Sequence, residues 1–389
     1  MAKAILRKTR ESRVRSGHPW VFASDIEHVE GAFEPGDVLD VVSCHNTYLG
    51  RAFYNPKSQI SLRMLTTHDE AVDSDFFRRR VQEAWDFRRL LCDENSCRLI
   101  FSESDFLPGL VVDKFGDYLV VQSLCLGIEK RKKDIVNHLA DIVKPKGIWE
   151  RSDVPVRRLE GLEQTTGLLW GEVPDQIDMY ENGLRFVVDV KNGQKTGFFL
   201  DQKENRAAIA PLCRDARVLD CFCHNGSFSL HAGKYGAKSV LGVDISEEAL
   251  EIARMNAENN GLSDVVKFEA HNCFDHLHEL TDAKEQFDLV ILDPPAFTKT
   301  RSAVESALRG YKEINLRGMK LVRKGGFLVT CSCSQHVSPE QFKDMVNQAA
   351  RDSKTKLRMV EYRTQGHDHP ILPASPETQY LKCMILQVM

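Results

Sequence analysis

The chain has 389 residues, 42% of them hydrophobic and 28% charged, with a formal net charge of −4 and eleven cysteines. That length exceeds what one hydrophobic core usually serves, so two or three domains are expected. No apolar run approaches the roughly 18 residues of a membrane span, which excludes a membrane partner from the expectation, and the slight acidity argues against a general nucleic-acid binder.

The N-terminus is basic but lacks the apolar stretch of a secretory signal, so the reading expects a cytoplasmic protein. Residues 1–16 carry Lys3, Arg7, Lys8, Arg10, Arg13 and Arg15 against the single acid Glu11. This is either a phosphate-contacting strip or the solvated face of an edge strand. Short apolar stretches up to about residue 70, broken by Gly31, Gly36, Asn46, Gly50 and Pro56, carry small β-barrel punctuation. From Ser74 to Cys92 a Ser/Asp cap precedes Phe77, Val81, Ala84, Trp85, Phe87 and Leu91 near a 3.6-residue period, which predicts an amphipathic helix. A strand pair about Gly116, a helix over 128–143 and further extended segments predict a small α+β domain. The expected division is 1–71, 72–190 and 191–389.

From about residue 200 apolar strands alternate with helices, which indicates a parallel sheet covered on both faces, closed by a hairpin of KLRMVEYRT and QYLKCMILQVM. Ligands of such sheets bind beyond the carboxyl ends of the strands, at the switch point of strand order. After the first strand, Asp220 stands at the strand end and Gly226 in the turn, without a GxGxxG or phosphate-binding loop, which favours a nucleoside-type ligand over a pyrophosphate. The second strand ends in Asp244, about 20 residues after the turn, where a carboxylate accepts ribose hydroxyls or, with Ser246 and Glu247, caps a helix. The third ends at Asn272, whose amide offers donor and acceptor to an adenine edge. The fourth ends in Asp293-Pro294-Pro295-Ala296-Phe297, a turn stiffened by two prolines. This order of residues resembles class I S-adenosylmethionine methyltransferases; the runner-up, a dehydrogenase, lacks its glycine fingerprint here.

After the fifth strand, TCSCS places Cys331 and Cys333 at the mouth of the same cleft. Cytosine carbon 5 is a poor nucleophile, so enzymes that methylate it first add a thiolate to carbon 6. Cys333, at the strand exit, is the candidate nucleophile, and its activation calls for a neighbour such as His336 or a cation. Its alternative role is a small buried residue. The cysteines are otherwise scattered and without a CxxC pair; the two CxC pairs, Cys221/Cys223 and Cys331/Cys333, are a weak basis for zinc, so no metal is expected.

Taken together, GHPWVF (17–22), GRAFYNP (50–56), ESDFLPGLVVDKFGDYLVVQ from Glu103, ERSDVPVRRLEG from Glu150, KTGFFLDQKENR from Lys195, DPPAF, GYKEIN from Gly310, TCSCS and DHP from Asp368 resemble the bacterial ribosomal RNA large-subunit methyltransferase family of RlmI type over nearly the whole chain. The resemblance implies an N-terminal PUA domain, a central α+β domain and a Rossmann-like methyltransferase domain that uses S-adenosyl-L-methionine on ribosomal RNA, and it allows a homodimer. It also implies cofactor roles for Thr196, Phe198, Asp201 and Gln202, and it matches Asp220, Asp244, Asn272 and Asp293 to cofactor and reaction-centre positions and Cys333 to the nucleophile. Two departures, Ala296 after the DPP turn and the second thiol Cys331, leave guanine nitrogen 7, which needs no covalent adduct, as the alternative target. To reach a base in folded RNA an enzyme stacks it on an aromatic. Phe297 is the nearest candidate, with Pro294, Pro295, Tyr311, Lys312, Arg309 and the loop 298–301 as further contacts or ordinary surface.

Overall fold

The computed structural model describes residues 2–193 and 196–389. Lys195, in the KTGFFLDQ stretch, lies outside the described residues. The chain forms two compact units: one spans the residues up to 179 together with 188–200 and 367–378, and the other comprises 180–187, 201–366 and 379–389.

The first unit opens with β1 (Lys3–Leu6), the short helix α1 (Glu11–Arg15), β2 (Trp20–Val21), β3 (Ile26–Glu30), β4 (Val38–Val42), β5 (Tyr48–Tyr54) and β6 (Leu62–Thr66). The strands form one sheet in the order β2-β6-β5-β4-β1-β3 around Ala4, Leu6, Leu39, Val41, Ala52 and Leu62. The basic segment is not an edge strand: β1 lies between β4 and β3, and most of the cations fall on or beside α1. Arg10 pairs with Asp25, Arg15 with Glu11 and Arg13 with Glu377, which leaves exposed Arg7 and Lys8 as cations outside any ion pair among the described residues.

Next comes α2 (Ser74–Leu91), whose N-cap is Asp73 rather than Ser74: its carboxylate accepts the Phe76 N–H at 3.1 Å. The helix buries Phe76, Phe77, Val81, Ala84 and Trp85, as its period predicts, but Leu91 is exposed and Arg88 occupies the buried position. Arg88 is accommodated because Asp105 receives it bidentately at 2.5 and 2.7 Å. A five-stranded sheet follows, ordered β11-β10-β9-β8-β7, from β7 (Ser96–Phe101), β8 (Leu110–Phe115), β9 (Tyr118–Ser123), β10 (Gly147–Ser152) and β11 (Thr165–Gly171). Helix α3 (Leu126–Val143) is the crossover that lets β9 and β10 run parallel. Both sheets of this unit meet at a buried polar cluster. Arg63 of β6 donates to Glu103 at 3.1 Å and to Glu160 at 3.0 Å, and Asn55 donates to the other oxygen of Glu160 at 2.9 Å. A hairpin of β12 (Ile177–Glu181) and β13 (Leu184–Val188) follows.

The second unit alternates α4 (Lys203–Ala208), α5 (Ala210–Cys213), β14 (Arg217–Cys221), α6 (Ser227–Lys234), β15 (Ser239–Asp244), α7 (Glu247–Asn259), β16 (Val266–Ala270), α8 (Cys273–Asp282), β17 (Phe287–Leu292), α9 (Val304–Leu321), β18 (Val322–Ser332), α10 (Pro339–Ser353), β19 (Leu357–Arg363) and β20 (Lys382–Val388). The sheet order is β16-β15-β14-β17-β18-β20-β19, with β14 to β18 parallel and the β19–β20 hairpin antiparallel. Strand order reverses between β14 and β17, so the carboxyl ends of these two strands mark the switch point. The unit boundary departs from the expected one at residue 190. Residues 180–187 join the second unit because Asn256 of α7 and Asn260, the residue capping its end, satisfy their backbone: Asn256 accepts the Val187 N–H and Asn260 the Arg185 N–H, each at 2.9 Å. Glu181 adds a buried bidentate pair with Arg206 of α4, at 2.5 and 2.8 Å.

Both members of that pair are sealed from solvent. Removing one charge strands the other, so Arg206→Ala should lower unfolding stability by about 3–5 kcal/mol in urea titration, whereas Arg358→Ala on the exposed edge strand β19 should leave the midpoint nearly unchanged.

Candidate active site

Glycine is needed where α6 leaves the switch point. Gly226 adopts φ +78° at the helix start, and a Cβ there would stand 2.7 Å from the Phe268 ring. In β15 a Cβ on Gly242 would lie 2.6 Å from the same ring and 2.8 Å from Ser229 Oγ. The two glycines therefore let α6 settle close to the sheet. The loop between β14 and α6 holds two non-glycine residues in left-handed backbone, Phe222 at φ +64° and His224 at φ +49°, a costly conformation that the surrounding bonds enforce. Phe222 N–H donates to Cys273 Sγ at 3.3 Å, and His224 N–H donates to Asp244 Oδ2 at 2.9 Å.

Asp244 ends β15 with its second oxygen on the Ser246 N–H at 3.0 Å. It is not the cap of α7; Ser246 is, accepting the Ala249 N–H at 3.2 Å. Asn272 starts α8 as its N-cap, with Oδ1 accepting the Phe274 N–H at 2.9 Å, and is exposed. Its amide oxygen is thereby engaged, while the NH2 group stays at the surface.

Asp220 is fully buried at the end of β14. Ser229 donates to Oδ2 at 2.6 Å, while Oδ1 has no hydrogen-bond partner among the described residues. Burial, reinforced by the nearby Asp293 and Asp244, pushes its carboxyl up to about 7. An orphaned acceptor at the switch point is a place for a ligand donor. With the carboxylate of Asp244 and the exposed amide of Asn272 at the ends of the adjoining strands, the residues fit a nucleoside carrying a cationic amino-acid tail, which is the chemistry of S-adenosylmethionine.

Asp293, at the end of β17, is half-buried, and its Oδ1 accepts from Gln202 Nε2 at 2.8 Å. Gln202 is held in turn by Asn205 at 2.7 Å, and Asn205 by Arg363 of β19 at 2.9 Å. Asp201 receives the Tyr380 hydroxyl at 2.6 Å and, through its carbonyl, the Gly366 N–H at 2.9 Å. Gln202 and Asp201 thus brace the DPP side of the cleft and the chain leading into β20. Thr196 and Phe198 lie in the first unit, where both are buried. The Thr196 hydroxyl donates to Asp113 at 2.5 Å.

Cys333 follows β18 and is half-buried, its thiol pointing at the Pro294 carbonyl at 3.9 Å. Cys331 is fully buried, and contact with Cys383 followed by burial pushes its thiol well up. Cys221 is likewise sealed against Cys273. Among the described residues no cluster of three or more His, Cys, Asp or Glu is arranged to hold a metal ion.

Phe297 is half-buried and backed by Tyr311, Phe274 and Phe222 at ring separations of 4.5, 5.7 and 6.3 Å. Tyr311 corrects an expectation: it is fully buried, with its hydroxyl on Ser334 Oγ at 2.9 Å, so it supports Phe297 and offers no stacking face of its own. Lys312 is drawn into an ion pair with Asp352 of α10 at 2.7 Å. Pro294 is buried and Pro295 exposed, and Lys299, Thr300, Arg301 and Arg309 are exposed. Sequence reading passed over Lys382, which is buried and donates to the carbonyls of Ser334 and Tyr380 at 2.7 and 2.8 Å. Its signal was a lone cation opening the apolar strand KCMILQV.

The doubly covered parallel sheet, its antiparallel final hairpin and the acids at its switch point define a class I S-adenosylmethionine-dependent methyltransferase. Residues 158–386 match the S-adenosylmethionine-dependent methyltransferase family and residues 4–67 a PUA-like domain. The chain is 42% identical to ribosomal RNA large subunit methyltransferase I of Tolumonas auensis, over 98% of each chain. It is 43% identical to the protein of that name from Shewanella denitrificans, again over 98% of each. A solved structure from Streptococcus mutans, assigned to the S-adenosylmethionine-dependent methyltransferases, superposes over 100% of both chains with a TM-score of 0.84 at 20% identity, which shows the shared fold. The chain belongs to the ribosomal RNA large subunit methyltransferase I family of S-adenosylmethionine-dependent methyltransferases.

If the ligand's cationic group takes the orphaned Asp220 oxygen, it binds the ionised carboxyl and displaces its proton. S-adenosylhomocysteine affinity should then rise with pH through about 7 and level off above it, as calorimetry in buffers of different ionisation enthalpy reads directly. Asp220→Asn should weaken binding and flatten that dependence; an unchanged profile would remove Asp220 from the site.

Proposed function

We propose that this protein methylates carbon 5 of a cytosine in large-subunit ribosomal RNA, with Cys333 as the covalent nucleophile. The observation that carries this reading is the placement of one incompletely buried thiol against the DPP turn, with Cys333 Sγ 3.9 Å from the Pro294 carbonyl. The names of the full-length relatives support large-subunit ribosomal RNA as the substrate.

S-adenosylmethionine supplies an electrophilic methyl group. The protein's task is to make cytosine carbon 5 able to take it. The Cys333 thiolate adds to carbon 6, and the electron pair of the 5,6 double bond becomes available at carbon 5. After methylation that pair is held in the new bond from carbon 5 to the methyl group; loss of the carbon-5 proton to a base leaves the pair of the broken carbon–hydrogen bond to re-form the 5,6 double bond, and the carbon–sulfur pair departs with the thiolate. Asp293, held by Gln202, faces the polar edge of the cytosine, and Pro294 and Pro295 fix the turn that presents it. Asp244 receives the ribose hydroxyls of the cofactor, Asn272 its adenine edge, and Asp220 with the Gly226 turn its amino-acid end. Phe297 is the stacking platform for the extruded base. Lys299, Arg301 and Arg309 take the flanking phosphates of the extruded base. The barrel of residues 1–71 is a docking module for the RNA backbone, with Arg7 and Lys8 as its phosphate contacts.

Cys333→Ala should abolish methyl transfer to RNA while leaving S-adenosylhomocysteine affinity within about twofold of wild type, since the thiol acts on the base alone. Mass spectrometry of nucleosides from deletion and complemented cells should show 5-methylcytidine restored by the wild-type gene and not by this variant. Transfer that survives the substitution, with 7-methylguanosine as the product, would replace the covalent reading by direct attack from the guanine lone pair.

A further inference from the structure

Lys382 takes no part in the reaction just described, yet it is a cation sealed inside the protein beside the reacting thiol. It opens β20 directly opposite Ser332 of β18, and its side chain reaches along the strand end to the Ser334 carbonyl at 2.7 Å. Its contacts therefore bracket Cys333 in the chain. A second proton goes to the Tyr380 carbonyl at 2.8 Å. Two neutral carbonyls solvate an ammonium only in part, and no carboxylate lies within ion-pair distance of it among the described residues. A buried cation without a counter-ion is expensive. Burial accordingly lowers its basicity, to about 8, and the one charged group that acts to restore it is an ionised Cys333.

We propose that Lys382 is a positioning residue that holds Cys333 as a thiolate before RNA arrives, the two forming a buried ammonium–thiolate pair. This rests on the covalent reading of Cys333 above. Deprotonation forms the pair by sending the thiol proton to solvent, and the existing ammonium charge offsets the new anion. When the thiolate adds to carbon 6 its charge moves into the base, and when it is expelled the charge returns to Lys382, so the same cation serves both ends of the cycle.

Three other titratable groups about this pair, Asp293, Tyr311 and Cys331, do not supply that charge. Asp293, at the end of β17, is an acid and opposes ionisation of the thiol. Tyr311 of α9 is pushed up by burial, and Cys331 of β18 is pushed up by its contact with Cys383 of β20; both stay neutral near pH 7. His336, three residues further along the chain, is half-buried. Lysine 382 is thus the cation whose removal should be felt at Cys333.

The test reads the thiol without RNA. Iodoacetamide alkylation of Cys333 in the full-length protein, followed across pH by peptide mass spectrometry, should titrate with a midpoint well below the about 8.5 of an ordinary cysteine. Lys382→Met should raise that midpoint by a unit or more and slow alkylation at pH 7 about tenfold, with S-adenosylhomocysteine binding retained as evidence of folding. Lys382→Arg, which keeps the charge, should restore most of the rate. An unchanged midpoint in Lys382→Met would overturn the proposal, and so would a wild-type midpoint at or above about 8.5, whether or not the variant folds. The covalent reading fails separately, through methyl transfer that survives Cys333→Ala.

Discussion

A carboxylate at the end of a parallel strand has lost much of its water, and whatever restores its hydrogen bonds fixes the local architecture. Around Asp293 Gln202 fills that role, and Asn205, itself held by Arg363, fixes the far end of the Gln202 amide. The series joins the segment before α4, the edge strand β19 and the DPP turn, three places distant in sequence. Asp201 extends the same brace to Tyr380 and so to the start of β20. A change at Arg363 would therefore be transmitted to Asp293 and the DPP turn without touching them.

Much of this was legible in the residues themselves. Near-continuous apolar strands ending in Asp220, Asp244 and Asp293 located the switch point, because a parallel sheet buried on both faces admits polar residues only at its ends. A cap at the start of α7 was within the alternatives, but for Asp244; geometry gives that role to Ser246, two residues on. Tyr311 was misplaced because its motif was read as a surface string. The helical period of α9, which buries Ala307, Tyr311, Ile314, Asn315 and Gly318, puts it on the core face. Lys382 and the Gln202–Asn205–Arg363 series were out of reach, since Lys382 depends on the register of β20 against β18 and the series on a contact between Asn205 and Arg363, 158 residues apart. So was Arg88, whose burial in α2 is made tolerable by Asp105 and by the carbonyls of Arg98 and Asp368.

The first unit follows the same logic with different parts. Glu103 and Glu160 lie in two separate family-like strings and Arg63 outside them, and none advertises a partner. Together they form a buried cluster in which one guanidinium faces two carboxylates, and Asn55 and Ser58 add hydrogen bonds to Glu160. Such a cluster specifies register more than it adds stability, because its desolvation offsets much of its attraction.

The aromatic group behind the DPP turn has a thermodynamic consequence. Phe297 is backed by Phe222, Phe274 and the sealed ring of Tyr311, so its rotamer is set before any ligand arrives. A mobile surface aromatic loses about 0.5–1.5 kcal/mol of side-chain freedom when it is pinned on binding. Here that loss is already borne by folding, and whatever meets the exposed part of the ring meets a surface of fixed shape, with selectivity set by fit rather than by adaptation.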